Sequence, residues 1–193
     1  MKVNQTMKNT VIAVLLSFIF VGNVDAKNPE IFTHVSKVYS QVVSSQLPSY
    51  FEGAYRNQAD PYFIVELVPK GETVEQWSEM VTFTGLEGAI KQRKMGAGNM
   101  IDNMTEGFSN ACPNTFAAQT LLENPEMLAV VLSCGNAGGR SEETLVVAMN
   151  GVNDLYTVQW AERGKATSAP KKIDKKKWSS RLQLLNPKLS PLN

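Results

Sequence analysis

The sequence contains few of the residues that most often build metal and thiol sites. It has one histidine, His34, and two cysteines, Cys112 and Cys134, which are not in a Cys-X-X-Cys spacing. Zinc sites that need several histidine or cysteine ligands are therefore excluded. His34 lies near the expected start of the mature chain, so we interpret it as a surface or partly packed residue rather than a general base. We expect no metal and no cofactor.

Long apolar runs are absent except near the N-terminus, where Val11–Val21 follows the basic residues Lys2 and Lys8. This run is well short of the ~20 residues that a membrane-spanning helix needs. A basic start, an apolar run and the small-residue site Val24-Asp25-Ala26 are together typical of a secretory signal peptide. The sequence therefore predicts cleavage after Ala26 and a periplasmic or secreted protein that does not span the membrane.

Phosphate-binding loops are missing as well. The glycine-containing segments Gly96-Ala-Gly98 and Gly135–Gly139 lack both the Gly-x-Gly-x-x-Gly pattern and the Lys-Ser/Thr pair of a P-loop. We interpret the second segment as a hairpin tip in which glycine supplies positive φ.

Charge is unevenly distributed along the chain. Residues 27–163 hold nine basic and sixteen acidic side chains, whereas residues 164–193 hold eight basic side chains and one acidic one. The run Lys171–Lys177, which includes Lys175, Lys176 and Lys177, offers a surface for an acidic partner, although lysines around a helix mostly form a solvated face. An exported chain has no reason to bind nucleic acid.

The two cysteines predict a disulfide. An isolated pair in an oxidising compartment is most simply explained by a structural cross-link between Cys112 and Cys134. Closing a loop of this size stabilises a fold by about 3 kcal/mol in the chain-entropy model.

The first half of the mature chain predicts strands followed by two helices. After an entry segment, Asn28–Lys37, which is a candidate short helix, strands are expected at Val38–Leu47, Phe51–Tyr55 and Tyr62–Val68, the last in the middle of a sheet. Thr73-Val-Glu-Gln76 has the form of a capping box, so we expect a helix from Thr73 to the residue before Gly85. This helix would place Glu72, Glu75 and Glu79 opposite Val74, Trp77 and Val81.

The second half predicts a helix, an antiparallel meander and a final helix. The helix at Asn99–Cys112 buries a stripe that includes Phe108, and a last helix begins at Asp174. Four strands lie between them, at Thr115–Leu122, Met127–Cys134, Glu143–Asn150 and Asp154–Ala161. We therefore expect an α+β fold with an antiparallel sheet of about six to seven strands, comprising a domain at 27–163 and a basic linker and helix at 164–193.

At this level the chain resembles the PsbP-like α/β/α sandwich, which includes small exported proteins. The resemblance covers Val38–Leu185 and depends on the apolar strand Tyr62–Val68, the turn Pro69–Glu72, the helix with Trp77 and the strand ending in Tyr156-Thr-Val-Gln-Trp160. It implies a binding or accessory role and supplies no catalytic residue.

Three functions remain open from the sequence. The first is a non-enzymatic binding or accessory protein that acts through a protein–protein surface. One form of it is an inhibitor or immunity protein in which an acidic face, such as that of Glu72, Glu75 and Glu79, meets a basic partner. The second is a small-ligand carrier, with a pocket lined by Trp77, Phe108, Tyr156 and Trp160. The third is a carboxylate-dependent cell-wall hydrolase.

Copper(I) binding by Met95, Met100 and Met104 is the one metal hypothesis, and core packing is the simpler explanation of these methionines.

Overall fold

The computed structural model describes residues 29–192, so the predicted signal peptide at residues 1–26 lies outside the described part of the chain. Within that part, most of the secondary structure is antiparallel strand, with two helices. The strands are β1 (Ile31–Val38), β2 (Gln41–Pro48), β3 (Phe51–Ala59), β4 (Tyr62–Pro69), β5 (Glu79–Leu86), β6 (Phe116–Glu123), β7 (Met127–Ala137), β8 (Arg140–Asn150), β9 (Leu155–Lys165) and β10 (Lys188–Pro191). The helices are α1 (Ala97–Ala111) and α2 (Lys175–Leu185).

The strands form two antiparallel sheets. The large sheet has seven strands in the order β3-β4-β5-β9-β8-β7-β6, and the small sheet has the order β1-β2-β10. The coarse prediction of an antiparallel sheet with packed helices is confirmed, and the structure has more strand and less helix than we expected. The small sheet was not predicted, because it joins strands from the two ends of the described chain.

The meander and its turns agree with the sequence prediction. β6, β7, β8 and β9 pair in chain order, each antiparallel to the next. The turn between β7 and β8 contains Gly138 and Gly139, both with positive φ, of 62° and 89°. Glycine adopts this left-handed backbone without a steric penalty, which explains its use at this hairpin tip.

Helix α1 also forms where the 3.6-residue periodicity predicts it. It packs against β7 and β8, and Ile101 is buried among Val130, Leu132 and Val146. Cys112 follows the last turn of the helix and forms a disulfide with Cys134 of β7, with a Cα–Cα distance of 5.6 Å. The predicted cross-link between this helix and the facing strand is therefore confirmed.

The helix predicted from Thr73 onward is wrong. Thr73 and Gln76 exchange two backbone hydrogen bonds of 3.1 Å, and Gln76 N also donates to Thr73 Oγ1 at 3.2 Å, which makes a turn instead of a first helical turn. The following residues form β5, where Val81 and Phe83 are buried and Thr82 and Thr84 face the other side. β-branched residues in strict alternation favour a strand, and pairing with β4 and β9 outweighs the local cap signal.

The N-terminal part of the described chain is a hairpin instead of a helix and a strand. β1 and β2 pair from Ile31 opposite Pro48 to Val38 opposite Gln41. The two turn residues include Tyr39, whose φ is 50°. The entry segment is thus strand, and the strand expected at Val38–Leu47 begins only at Gln41.

Two apolar layers lie on opposite faces of the large sheet. One layer lies between this sheet, the small sheet and α2, and it contains Trp178 and Leu185, both fully buried. The other lies between the sheet and α1.

α2 begins as predicted, because the Asp174 carboxylate accepts a hydrogen bond from Lys177 N at 3.0 Å. The basic C-terminal segment therefore contributes side chains to the main core.

Candidate functional site

Helix α1 covers only part of one face of the large sheet. It packs over β6, β7 and β8, whereas the part of this face formed by β4, β5 and β9 carries polar side chains. The register places Glu66 of β4 opposite Thr82 of β5, and Thr82 opposite Gln159 of β9. All three are half-buried. A row of polar groups thus crosses the uncovered part of the sheet.

These polar residues form the floor of a cleft of about 390 Å³. Phe108 of α1 and Trp77 of the segment between β4 and β5 both line it, as do Ile64 and Met80. Phe108 is half-buried and Trp77 is 8% exposed. The volume is within the usual range for small-molecule sites, and polar groups on the floor with apolar groups around them are typical of such sites.

The segment at 70–78, which we call the Trp77 loop, is held in place by its own polar groups. The Glu72 carboxylate accepts hydrogen bonds from Ser78 N and Ser78 Oγ, both at 2.6 Å. This arrangement fixes the loop immediately before β5 begins. It explains how a short segment without helix or strand keeps a tryptophan in position beside the sheet.

Arg163 connects the Trp77 loop to the sheet. Its guanidinium carbon lies 3.6 Å from the centre of the Trp77 ring, and its Nε donates to Glu142 Oε2 at 3.3 Å. Glu142 also accepts a hydrogen bond from Thr144 Oγ1 at 3.4 Å. The Arg163 charge is therefore matched by a carboxylate, and its planar face covers the indole.

Hydrogen bonds order the middle of the floor. Thr84 and Thr157 share a bond of 2.7 Å between their hydroxyl oxygens, and Gln159 Nε2 donates to Thr157 Oγ1 at 3.0 Å. Fixed hydroxyl and amide groups of this kind present donors and acceptors to a ligand at little cost in side-chain entropy.

Of the three charged residues that line the cleft, Glu66 is the one whose side chain has no hydrogen bond or ion pair to another residue of the described range 29–192. Burial alone raises the pKa of its carboxyl, and no hydrogen bond or charge from residues 29–192 contributes to the shift. A carboxylate that is partly removed from water and lacks a partner costs free energy in the folded protein. The carboxylate is therefore free to accept a hydrogen bond from a ligand in the cleft.

The four predicted pocket residues are divided between the two faces of the sheet. Trp77 and Phe108 line the cleft, whereas Tyr156 and Trp160 are fully buried on the opposite face. There Tyr156 donates to Val38 O at 3.1 Å, and Trp160 Nε1 donates to Glu79 Oε2 at 3.1 Å. Side chains alternate between the two faces of the sheet along β9. Tyr156 and Trp160 therefore lie on one face, and Gln159 lies on the other.

The predicted acidic surface is not assembled. Glu72 is bound within the Trp77 loop, Glu75 is exposed, and Glu79 faces the α2 side of the sheet, where Tyr50 and Trp160 donate to it. The reason is the missing helix, since only helical geometry would have aligned these side chains.

The predicted basic surface is partly used inside the protein. Lys175 and Lys176 are exposed, whereas Lys177 forms an ion pair with Glu162 of β9. Arg181 of α2 also reaches Glu162, at 3.4 Å. Basic groups of α2 thus neutralise acidic groups of the sheet.

The remaining candidates lie away from the cleft. His34 of β1 shares a 2.9 Å hydrogen bond with Ser36 Oγ, and its ring packs against Phe83. Burial and the charge of Arg56 lower the pKa of His34.

The methionines Met95, Met100 and Met104 pack in the apolar layer under α1. Within residues 29–192, no cluster of three His, Cys, Asp or Glu side chains has the arrangement of a metal site.

Sequence reasoning missed Glu66, Thr82, Thr84 and Gln159. β4 was expected in the middle of the sheet with both faces covered, but it is the second strand from an edge, and Ile64 and Glu66 are only half-buried. The signal was present, because Glu66 is the one charged residue in an otherwise apolar strand. The alternation of Thr82 and Thr84 was hidden by the helix prediction.

No protein-family model matches the chain, and no curated protein is similar enough to be counted as a relative. In residues 29–192, no helix has the length and apolar character needed to cross a bilayer.

Proposed function

We propose that the protein is an exported, non-enzymatic binding protein that takes a small ligand in the cleft between α1, the Trp77 loop and the large sheet. One observation carries this proposal. The cleft combines apolar walls with an ordered polar floor and an unpartnered carboxylate. Its volume accommodates a metabolite or a short chain fragment rather than a folded partner.

Export agrees with the disulfide between Cys112 and Cys134, since such bonds persist in oxidising compartments. The signal-peptide pattern at residues 1–26 is the other support for export. A PsbP-like binding role, as the sequence resemblance implies, is consistent with the same proposal.

A protein partner, the first function predicted from the sequence, has less support. One form of that prediction, an inhibitor or immunity protein, used an acidic helical face with Glu72, Glu75 and Glu79, and these side chains point to different surroundings. Binding to a protein through another surface remains a prediction.

A carboxylate-dependent hydrolase is disfavoured by the spacing of the carboxylates in the cleft. Glu66 of β4 and Glu142 of β8 are separated by β5 and β9, which amounts to about 14 Å across the sheet. The register adds about four residues, or roughly 13 Å, along the strands. Paired catalytic carboxylates are usually about 5 to 10 Å apart.

Native mass spectrometry of the protein, purified without denaturation from the exported fraction of expressing cells, tests the proposal. We expect a bound small molecule in the wild type that is lost in Phe108→Ala. Phe32→Ala is the matched control, because Phe32 is a half-buried phenylalanine that packs on the opposite face of the sheet. Loss of the ligand in both variants, or its absence from the wild type, would contradict the proposal.

A further inference from the structure

The charge balance of the cleft identifies the kind of ligand that fits it. Three charged side chains line the cavity, namely Glu66, Glu142 and Arg163. Arg163 and Glu142 neutralise each other through their 3.3 Å contact. The remaining charge is that of Glu66, so the cleft as a whole is negative.

The residues around Glu66 leave its carboxylate free to accept a hydrogen bond from a ligand. Its cross-strand neighbours on the same face are Tyr55 of β3 and Thr82 of β5. Neither bears a positive charge. Arg56, the nearest basic residue along β3, lies on the other face, with its guanidinium 5.0 Å from the Phe63 ring centre.

An aromatic residue, Tyr55, is the cross-strand partner of Glu66 on β3. Tyr55 is directly opposite Glu66 in the register and is 44% exposed. Side chains in direct cross-strand pairs have Cβ atoms about 5 Å apart. A cation bound to Glu66 would therefore be within reach of the Tyr55 ring, and aromatic rings attract cations through their negative faces. The ring of Trp77 is already covered by Arg163.

From this arrangement, and on the basis of the proposed function, we propose that the cleft selects small ligands that carry a protonated amine, with Glu66 as the counter-ion and with Phe108 and Ile64 against the apolar part of the ligand. A charge-assisted hydrogen bond of this type improves binding by about tenfold to a hundredfold. The raised pKa of Glu66 supports the assignment, because a bound ammonium group would compensate for the desolvation of the carboxylate.

Three probes that differ mainly in one group test the proposal: 2-phenylethylamine, 2-phenylethanol and 3-phenylpropionate. Their affinities for the full mature protein are measured by NMR titration at neutral pH. We expect the amine to bind at least about tenfold more tightly than the alcohol, and the carboxylate probe to bind most weakly. Glu66→Gln should abolish the preference for the amine, so that the amine and the alcohol bind with similar affinity.

Glu123→Gln is the matched control, because it removes one negative charge from an exposed position on β6, at the far edge of the sheet. It should retain the preference for the amine. If Glu123→Gln weakens amine binding as much as Glu66→Gln does, the effect is one of net charge and the inference is wrong.

The outcomes separate this inference from the proposed function. If the alcohol or the carboxylate probe shifts the resonances of Phe108 and Trp77 with an affinity equal to that of the amine, the cleft binds ligands but does not select amines. If none of the three probes shifts resonances of the cleft, both the inference and the small-ligand function are contradicted.

Discussion

The guanidinium carbon of Arg163 lies 3.6 Å from the centre of the Trp77 ring, so β9 holds the Trp77 loop against the sheet. The loop has no helix or strand pairing of its own. Its position therefore depends on this contact, on burial of Trp77 and on the hydrogen bonds of Glu72. One wall of the cleft is thus set by a pair of residues that are far apart in the chain.

Arg163→Met should loosen the Trp77 loop while it retains an unbranched apolar stem at this position. The cation–π contact contributes about 1 kcal/mol, so we expect a small loss of stability and a clear rise in acrylamide quenching of tryptophan fluorescence. The signal reports Trp77, because Trp160 and Trp178 are fully buried. Arg56→Met removes a similar contact with Phe63 and should leave quenching unchanged. Equal quenching in the wild type and Arg163→Met would contradict this role.

Glu66→Gln should stabilise the protein at neutral pH. Burial raises the pKa of Glu66 in the folded state, so the folded protein binds this proton more tightly than the unfolded chain. Stability from this group is therefore greatest at low pH and falls as pH rises through the folded pKa. We expect a higher Tm for the variant at pH 7 and no difference near pH 3, where both side chains are neutral. A lower Tm at pH 7 would show that Glu66 has a stabilising partner.

Asp154→Asn should destabilise the fold by about 2 kcal/mol at neutral pH. The buried carboxylate accepts hydrogen bonds from Ser40 Oγ at 2.6 Å, Gly88 N at 2.8 Å and Tyr156 OH at 3.1 Å. Burial acts to raise the pKa of Asp154, but these hydrogen bonds outweigh it and the pKa is lowered.

The pH dependence of stability follows from this lowering of the Asp154 pKa in the folded protein. The contribution of Asp154 is present above the unfolded pKa of about 4 and is lost as pH falls through the lower folded value. Urea unfolding at several pH values should show the gap between wild type and variant narrowing on acidification. Asp102→Asn, an exposed change on α1, is the control and should be neutral. A gap that does not change with pH would mean that the charge of Asp154 has no role.

The Cys112→Ala/Cys134→Ala double variant should lose about 3 kcal/mol of stability, because the disulfide closes a loop of 22 residues. The bond ties the end of α1 to β7, so the loss should be accompanied by faster hydrogen exchange in α1. Guanidinium unfolding of the oxidised, reduced and substituted proteins measures the effect. Equal midpoints for all three would contradict a structural role for the bond.

The parts of the fold that the sequence predicted are those in which neighbouring elements pair. β6 to β9 follow one another with short turns, and α1 packs on the nearby β7. The hydrophobic periodicity of each segment was therefore enough to predict these elements. The hairpin of β1 and β2 was missed although its strands are neighbours, whereas the other failure involves distant pairing. The cap-like Thr73 and Gln76 formed a turn because β5 is held between β4 and β9, and β9 is distant in sequence.

The same distinction explains the candidate site. Trp77 and Phe108 were predicted to line a pocket between the sheet and two helices, and both line the cleft, but Trp77 does so from a loop because the helix expected from Thr73 is absent. Glu66 and Thr82 meet through the pairing of the neighbouring strands β4 and β5, but Gln159 joins them only through the pairing of β5 with β9, which skips over α1 and three strands. The hydrophobic periodicity of a single segment does not specify which distant strand that segment pairs with.

The small sheet sets the order in which the molecule can be completed. β2 pairs with β1 on one side and with β10, which includes Lys188 and Leu189, on the other. During synthesis, the edge of β2 that pairs with β10 stays open until residues 188–191 have been made. Because the two strands are far apart in sequence, their pairing carries a large loop-closure entropy, and contacts of this kind are slow to form. Until then β2 presents an unpaired edge to other extended segments.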